Sequence, residues 1–496
     1  MPPFFMLIAL GDREFESLSF GIWSLIPLAM PQGMVDDFSG AAACSLFVSY
    51  GFNRGDEKIM GRLTCLTSFV LFSGLVACPA TADDWNQWQG PKRNGVWSEA
   101  GTLDAFPSDG PEILWKMPIS NGFSGPAVSD GRVFVTDFVR SAGDATPDPG
   151  KKSELSGIER VHCFDSATGK LLWVHQNECD YKISYPNGPR ATPTVDGNRV
   201  YTLGAEGRLN CLQTANGEVL WTRDLKKDFD MDLAPHWGFA AHPLVDGDML
   251  YCVIGGKGSV AVALDKMTGK ERWRALDAIS PGYCPPTMIQ AGGTKQLLIW
   301  HPESLNSLNP ATGEVHWSFA MKPAYEMSVI APIQSENYLY AAALQGTSLL
   351  LKLDQDRPIA TEVWSGKGVH PDHNPPLVVE GHAYGIDVKG HLRCVDLKTG
   401  ERCWESLATA PNGRPASSAT GFMVRNGDKF FVMIETGELL IAKMSPSGYQ
   451  ELGRSKILEP TSRTGNRNVV WSHPAFADRC IFARNDKEIV CISLAK

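Results

Sequence analysis

The chain has 496 residues, 43% of them hydrophobic and 9% aromatic, which is enough to bury a large core. A formal charge of −9 and an isoelectric point near 5.7 argue against a nucleic-acid footprint. The 12 cysteines include no Cys-x-x-Cys or other zinc spacing, and helical apolar periodicity is nearly absent, so a zinc module or a helical solenoid is excluded.

Residues 1–59 are apolar in patches and carry none of the repeat described below, so they read as an upstream extension outside the mature fold. Residues 60–82 read as a secretion signal. Arg62 supplies the basic start, Leu63 to Val76 a short apolar run, and Ala80-Thr81-Ala82 a small-residue cleavage site. Leu75-Val76-Ala77-Cys78 is also a lipobox-like string, which makes Cys78 a candidate for lipidation and offers a membrane tether in an otherwise exported, periplasmic or envelope protein.

Residues 83–111 contain Trp85, Trp88 and Trp97 with no strand periodicity and are expected to pack across one face or side of the fold. Beyond them a unit recurs, clearest from Ala191 to Trp221. Three short β-type runs are divided by Asp196-Gly197 and Glu206-Gly207, and a fourth follows Asn216-Gly217. Asp-Gly and Asn-Gly accept positive φ and suit tight hairpins, so each unit is a four-stranded antiparallel meander.

The tail of the unit, a Gly followed four residues later by Trp, gives Trp173, Trp221, Trp273, Trp317 and Trp404. Trp364 ends a degenerate copy with Asp356-Arg357-Pro358 in place of the Gly, and a weak tail lies near Leu452. From Trp173 to Trp404 successive spacings are 40 to 52 residues, the period of propeller blades. Unit heads stand at Pro126, Pro193, Pro243, Pro286, Pro332, Pro376, Ala419 and Pro474. The last head runs out one strand short, and the segment around Trp115 precedes the first head. The expected fold is all-β: an eight-bladed propeller over residues 112–496, with the N-terminal strand completing the final blade so that no sheet edge stays open.

Cys163, Cys211, Cys394 and Cys491 share one repeat position on the third strand and are expected to be buried, free thiols. Residues 141–156 read as a surface loop inserted in the first blade; 224–237 and 454–469 are long connections of the kind that carry function.

The Asp-x-x-Thr-Gly-x-x-x-Trp tail, as in Asp165–Trp173, resembles the pyrroloquinoline-quinone (PQQ)-like propeller family. Asp84-Trp-Asn-Gln-Trp-Gln-Gly-Pro, Gly188-Pro-Arg-Ala-Thr-Pro, Trp300-His-Pro-Glu and Trp471-Ser-His-Pro-Ala-Phe resemble exported propellers of planctomycete-type bacteria. The resemblance implies fold and export. It also offers two functions: a quinoprotein oxidoreductase with PQQ and calcium, or the non-enzymatic lipoprotein propeller of the outer-membrane β-barrel assembly machine. Quinoproteins of this kind generally carry adjacent cysteines over the cofactor and a calcium site, and neither maps onto this chain, so no cofactor is expected.

The Asp-Gly and Thr-Gly turns fall on one face and are regular. The loops entering each blade and those joining second to third strands fall on the other, and they are irregular. Arg190, His242 and His473 precede blade heads on that mouth, while His301, Glu303 and Arg484 follow or end second strands. These six are the candidate ligand-binding residues, suited to an anionic or hydroxyl-rich ligand. The same residue types also serve as ties between blades. No nucleophile elbow or phosphate loop is present, so no catalytic residue is assigned. The ranked expectation is a monomeric scaffold or binding protein with a protein partner or small polar ligand; a quinoprotein dehydrogenase and a carbohydrate-binding or carbohydrate-active propeller are the alternatives.

Overall fold

The computed structural model describes residues 84–346 and 348–496. Eight four-stranded antiparallel sheets follow one another in chain order. They span residues 127–183, 194–224, 244–275, 287–320, 333–365, 377–406, 421–456 and 475–493, and are called blades one to eight. Blade eight takes its outer strand, Ile113–Pro118, from the N-terminal side of blade one, paired antiparallel with Glu488–Ser493. Closure is therefore as the count of heads and tails requires. No helix among the described residues is long and apolar enough to cross a membrane.

One row of side chains explains the repeat. In blade one Phe134, Cys163 and Trp173 lie opposite one another on the second, third and fourth strands; in blade two the row is Tyr201, Cys211 and Trp221. Blade six has Tyr384, Cys394 and Trp404, and blade eight has Phe482, Cys491 and Trp115. A buried thiol between two rings is small enough for the sheets to close over it, and all four of these thiols are free.

Each tail Trp then docks on the next blade. The indole N–H of Trp115 donates to the Ser166 carbonyl at 2.8 Å, Trp173 to Thr214 at 2.9 Å, Trp221 to Lys266 at 3.1 Å and Trp273 to Pro310 at 2.9 Å. The ring covers the turn glycine: a Cβ on Gly169 or Gly217 would stand 2.7 or 2.6 Å from the Trp115 or Trp173 ring. Both glycines also hold positive φ, so conformation and clearance fix the residue together. Trp317 faces blade five, which lacks the Thr-Gly turn, and its indole turns instead to Gln296 of its own blade at 3.0 Å.

The Thr-Gly and Asp-Gly turns are hydrogen-bonded neighbours, with Ser166 N–H to Gly131 and Lys266 N–H to Asp248, which places both on one face. The 141–156 insertion is a sheet extension more than a loop. Strands Arg132–Gly143, Ser153–Asp165 and Leu171–Ile183 continue past the ring, and Leu155, Tyr181 and Ile183 form part of a core with Phe229 and Phe239.

Residues 84–111 go deeper than a covering strip. Asp84 receives Ser129 Oγ and the Asp130 N–H at the turn face, and Trp85 pairs with Val128 on the inner strand of blade one. Asn86 exchanges two bonds with Val195 of blade two. After a tight reversal the Gly95 carbonyl accepts from Arg425 of blade seven, whose carbonyl accepts from Trp97. The segment thus threads among the inner strands and returns, then leaves over blades seven and eight, where Thr102 bridges Ala495. Trp97, 1% exposed, lies against Phe431 and Phe476.

Candidate functional site

Two of the six sequence-predicted residues come together. His242 and His473, each just before a blade head, have ring centroids 6.4 Å apart, and Trp88 from the threading segment lies against both. It stacks on His242 at 4.9 Å and meets His473 edge-on at 5.7 Å. His242 Nδ1 accepts the Thr192 N–H at 2.8 Å, and His473 Nδ1 lies 3.4 Å from Gln89 Nε2. Burial holds the His242 imidazole well below its ordinary pKa and brings that of His473 down to about 3, with neighbouring cationic forms pushing the same way. Both are neutral packing rings at physiological pH.

The reversal of the segment is fastened by Arg93. Its guanidinium donates to the carbonyls of His242, Pro243 and Pro286, at the entrances of blades three and four, and its Nε to Gln87 at 2.8 Å. Burial without a carboxylate partner lowers the guanidinium to about 9. The axial space beneath the mouth is therefore filled by the chain's own Gln87, Trp88, Gln89 and Arg93. Sequence reasoning missed this; the signal was the Gln-Gly-Pro-Lys-Arg-Asn-Gly string, glycines bracketing a turn between tryptophans that fit no strand.

The remaining four stand apart from that pair. Arg484 is 0% exposed; its guanidinium donates to the carbonyls of Ser120, Thr136 and Asn485, which ties blade eight to blade one. Arg190 turns back on its own loop, onto the carbonyls of Ser184, Tyr185 and Gly188, and lies 5.4 Å from the Phe123 ring centroid. Burial lowers it to about 10. His301 is buried, accepting from the Glu303 N–H at 3.3 Å and contacting Ser304 Oγ at 3.1 Å; burial lowers its pKa. Glu303 is half-buried beside it. Cys78 and the residues of the signal lie outside the described residues.

Other mouth groups are also engaged. Asp486 accepts from Asn187, Ser462 and Thr461, and Arg467 pairs with buried Glu435 at 2.7 Å. Buried Asp137 receives both Arg160 and the Ser120 N–H, with His162 at 3.1 Å. Burial pushes its pKa up, but these hydrogen bonds and charges outweigh that and hold it below the usual carboxylate range. Buried Glu159, by contrast, has its pKa raised by desolvation although Tyr181 OH and the Ala205 N–H donate to it. Two depressions, one beside Glu159 and one beside Tyr185, have volumes of about 240 and 180 Å³ including space open to solvent. Because those volumes count open solvent, neither depression is an enclosed cavity of the few hundred Å³ that a small-molecule site occupies.

These residues do not fit a PQQ–calcium centre. Arg190 and Arg484, the two cations among the six candidates, are turned onto backbone carbonyls. Among the described residues no group of three His, Cys, Asp or Glu side chains is placed to hold a metal ion.

Comparison with known proteins agrees with the architecture. The family described as outer membrane protein assembly factor BamB matches residues 157–404 and 301–496. Among solved structures, BamB from Moraxella catarrhalis superposes with a TM-score of 0.52 at 15% identity, over 77% of this chain and 97% of that one. A europium-containing methanol dehydrogenase gives 0.56 at 12% identity, over 83% of this chain and 89% of that one. Quinohemoprotein alcohol dehydrogenase from Comamonas testosteroni gives 0.56 at 13%, over 83% and 81%. At these identities the superpositions speak to fold alone. Among curated proteins none matches by sequence.

Proposed function

We propose that this chain, which belongs to the outer membrane protein assembly factor BamB family of PQQ-like propellers, is an exported binding propeller of the cell envelope that engages a protein partner through its mouth without chemical turnover. The observation that carries the reading is the filled axis. Trp88 and Arg93 occupy the space beneath the mouth, and the predicted ligand cations Arg190 and Arg484 close onto backbone carbonyls, so what the mouth offers a partner is a broad loop surface and not a cavity. Protein partners bind such surfaces through area and a few anchors. The BamB relative supports a scaffold role; the two dehydrogenase structures share the propeller, but Arg190 and Arg484 are bonded to backbone carbonyls and no metal-holding cluster stands among the described residues.

The test is site-specific photocrosslinking in cells. A photoreactive residue at Arg414, Arg463 or Ile279, exposed on the mouth loops that enter blades seven, eight and four, is expected to give a discrete protein adduct, while turn-face positions Asp196 and Asp246 give none. Adducts from the turn face alone would refute the assignment of the mouth. Dye reduction with an alcohol or sugar after loading with calcium and PQQ would refute the absence of turnover. Amino-terminal sequencing of the mature chain is expected to find a start at Asp83 or at a modified Cys78.

A further inference from the structure

The mouth is not uniform. Three neighbouring loops lead into blades three, four and five, and each presents a large apolar side chain to solvent: Leu233 at 47%, Ile279 at 84% and Tyr325 at 70% exposure. The loops are bonded into one shelf. Tyr283 OH takes the Trp237 N–H at 3.4 Å, with the two rings 5.4 Å apart, and the Tyr283 N–H donates to Ser328 at 2.8 Å. Exposed carboxylates lie on the same three loops: Asp230, Asp232, Asp277 and Glu326. Among the described residues none of the four has an ion-pair partner, although Asp277 accepts the Gly258 N–H. Lys227 and Lys322 are the exposed lysines of the same loops, Lys257 adjoins the Gly258 that bonds Asp277, and Arg274, paired with Glu271 and leaning on Phe229, is also drawn to Asp230, so the carboxylates outnumber the lysines of the three loops by four to two.

Left-handed backbone recurs on these loops, as it does at Tyr185, Asn412 and Ser418 on other loops of the mouth. Asp230, Leu276, Tyr325 and Glu326 have φ of 51°, 67°, 58° and 59°, a left-handed region that costs a side chain of this kind about 1 kcal/mol or more. No glycine relieves them, and the strain serves no buried contact of Tyr325, which points to water.

Resting on the mouth-binding reading above, we infer that this shelf is the docking surface for a basic segment of another polypeptide, its apolar side chains seated on Leu233, Ile279 and Tyr325 and its lysines or arginines facing Asp230, Asp232, Asp277 and Glu326. Charge complementarity selects the occupant. A second copy of this chain would bring the same carboxylates against themselves, and an anionic lipid surface would be repelled. Aliphatic and aromatic anchors within a charged rim are the composition of a recognition site, where truncation of central anchors weakens binding most.

The probe is a fluorescent peptide of repeated Leu-Lys-Lys-Leu, with a Leu-Glu-Glu-Leu peptide as its counterpart, titrated by anisotropy against the mature protein. The Lys peptide is expected to bind and the Glu peptide not. Combined Leu233→Ser, Ile279→Ser and Tyr325→Ser should weaken binding about tenfold or more while the ring unfolds at its normal temperature, since all three side chains are exposed. Combined Asp230→Asn, Asp232→Asn and Asp277→Asn should slow association and flatten its salt dependence, and Asp196→Asn with Asp246→Asn on the turn face should do neither. Equal binding of both peptides, or loss with the turn-face variant alone, overturns the inference. So does conversion of a dimer to a monomer by the Ser variants, which would make a second copy the occupant. If crosslinks still form at Arg414 and Arg463 while the shelf variants bind the Lys peptide normally, the shelf fails and the mouth reading stands.

Discussion

The two halves of the ring are held in different ways. Around blades seven, eight, one and two the threading segment covers the inner strands, so Ala475–Ala477 is fully buried, as is most of Ala127–Ser129 and Thr194–Asp196. Across the axis the inner strands of blades four and five, Thr287–Ala291 and Ile333–Ser335, are mostly half-exposed, and the loops above blades three to five present apolar side chains to water. One half spends its special sequence on closing the ring; the other is reached by the segment only through Arg93 and Trp88 at the entrances of blades three and four, and leaves the apolar residues of its loops exposed. The lesson is that irregularity in a repeat protein has two origins, and burial separates them.

The severest way to break the closed half is to delete residues 113–116. Blade eight loses its outer strand, and Trp115 no longer covers Gly169 or reaches Ser166. The strand Glu488–Ser493 becomes an open edge, which invites pairing with another chain. The expected outcome is loss of a single cooperative unfolding transition together with self-association in light scattering. A monomer that unfolds cooperatively near the wild-type midpoint would mean that the threading segment alone holds the seam.

Next in size is Trp97→Ala against Trp237→Ala. Trp97 packs on Phe431 and Phe476 across blades seven and eight, so its removal should cost about 3–5 kcal/mol, measured by denaturant unfolding. Trp237 is half-buried on the shelf and its loss should cost well under half of that. Equal losses would erase the distinction between the halves.

Much of this architecture was legible because turn chemistry repeats. Asp-Gly, Thr-Gly and a Trp four residues on are local signals, and their count required the N-terminal strand to enter blade eight. The six mouth residues were found by their position in the irregular loops, but sequence does not say where a side chain turns. Arg190 and Arg484 look like ligand cations until their carbonyl partners are seen, and His242 with His473 look like a ligand pair until Trp88 is seen to lie against both. The threading segment was legible as an oddity and not as a plug, because its contacts lie with residues more than a hundred positions away.

Acid acts on buried histidines in both halves, His473 before blade eight and His242 and His301 in blades three and four among them. The folded pKa of His473, about 3, lies below its unfolded value near 6.5. Below pH 6.5 the unfolded chain takes a proton that the folded chain refuses, so stability present at neutral pH is lost as the pH falls towards 3. Each such histidine contributes a slope of about 1.4 kcal/mol per pH unit in that window. His242 and His373 act with the same sign. His473→Gln should reduce the steepness of the loss between pH 6.5 and 5 in urea unfolding; an unchanged slope would mean that the ring is already open to solvent.

The finest comparison uses one repeat position in both halves, the residue before the turn glycine. In blade seven it is Asn426, buried, whose amide donates to the carbonyls of Trp97 and Glu99 and whose carbonyl accepts from Thr102 at 2.6 Å. In blade three it is Asp246, whose carboxylate meets Lys295 at 2.8 Å at the surface. Both satisfy the same turn, so turn propensity cancels between them. Asn426→Ala leaves two backbone carbonyls and a hydroxyl without their partner and should cost about 1–3 kcal/mol. Asp246→Ala removes an exposed ion pair and should cost about 1 kcal/mol at most, less in high salt. Denaturant unfolding of the two variants at low and high salt measures both terms. Were Asp246→Ala the costlier change, the turn itself and not the threading segment would set stability at this position, and the division of the ring into a fastened half and a presenting half would lose its energetic basis.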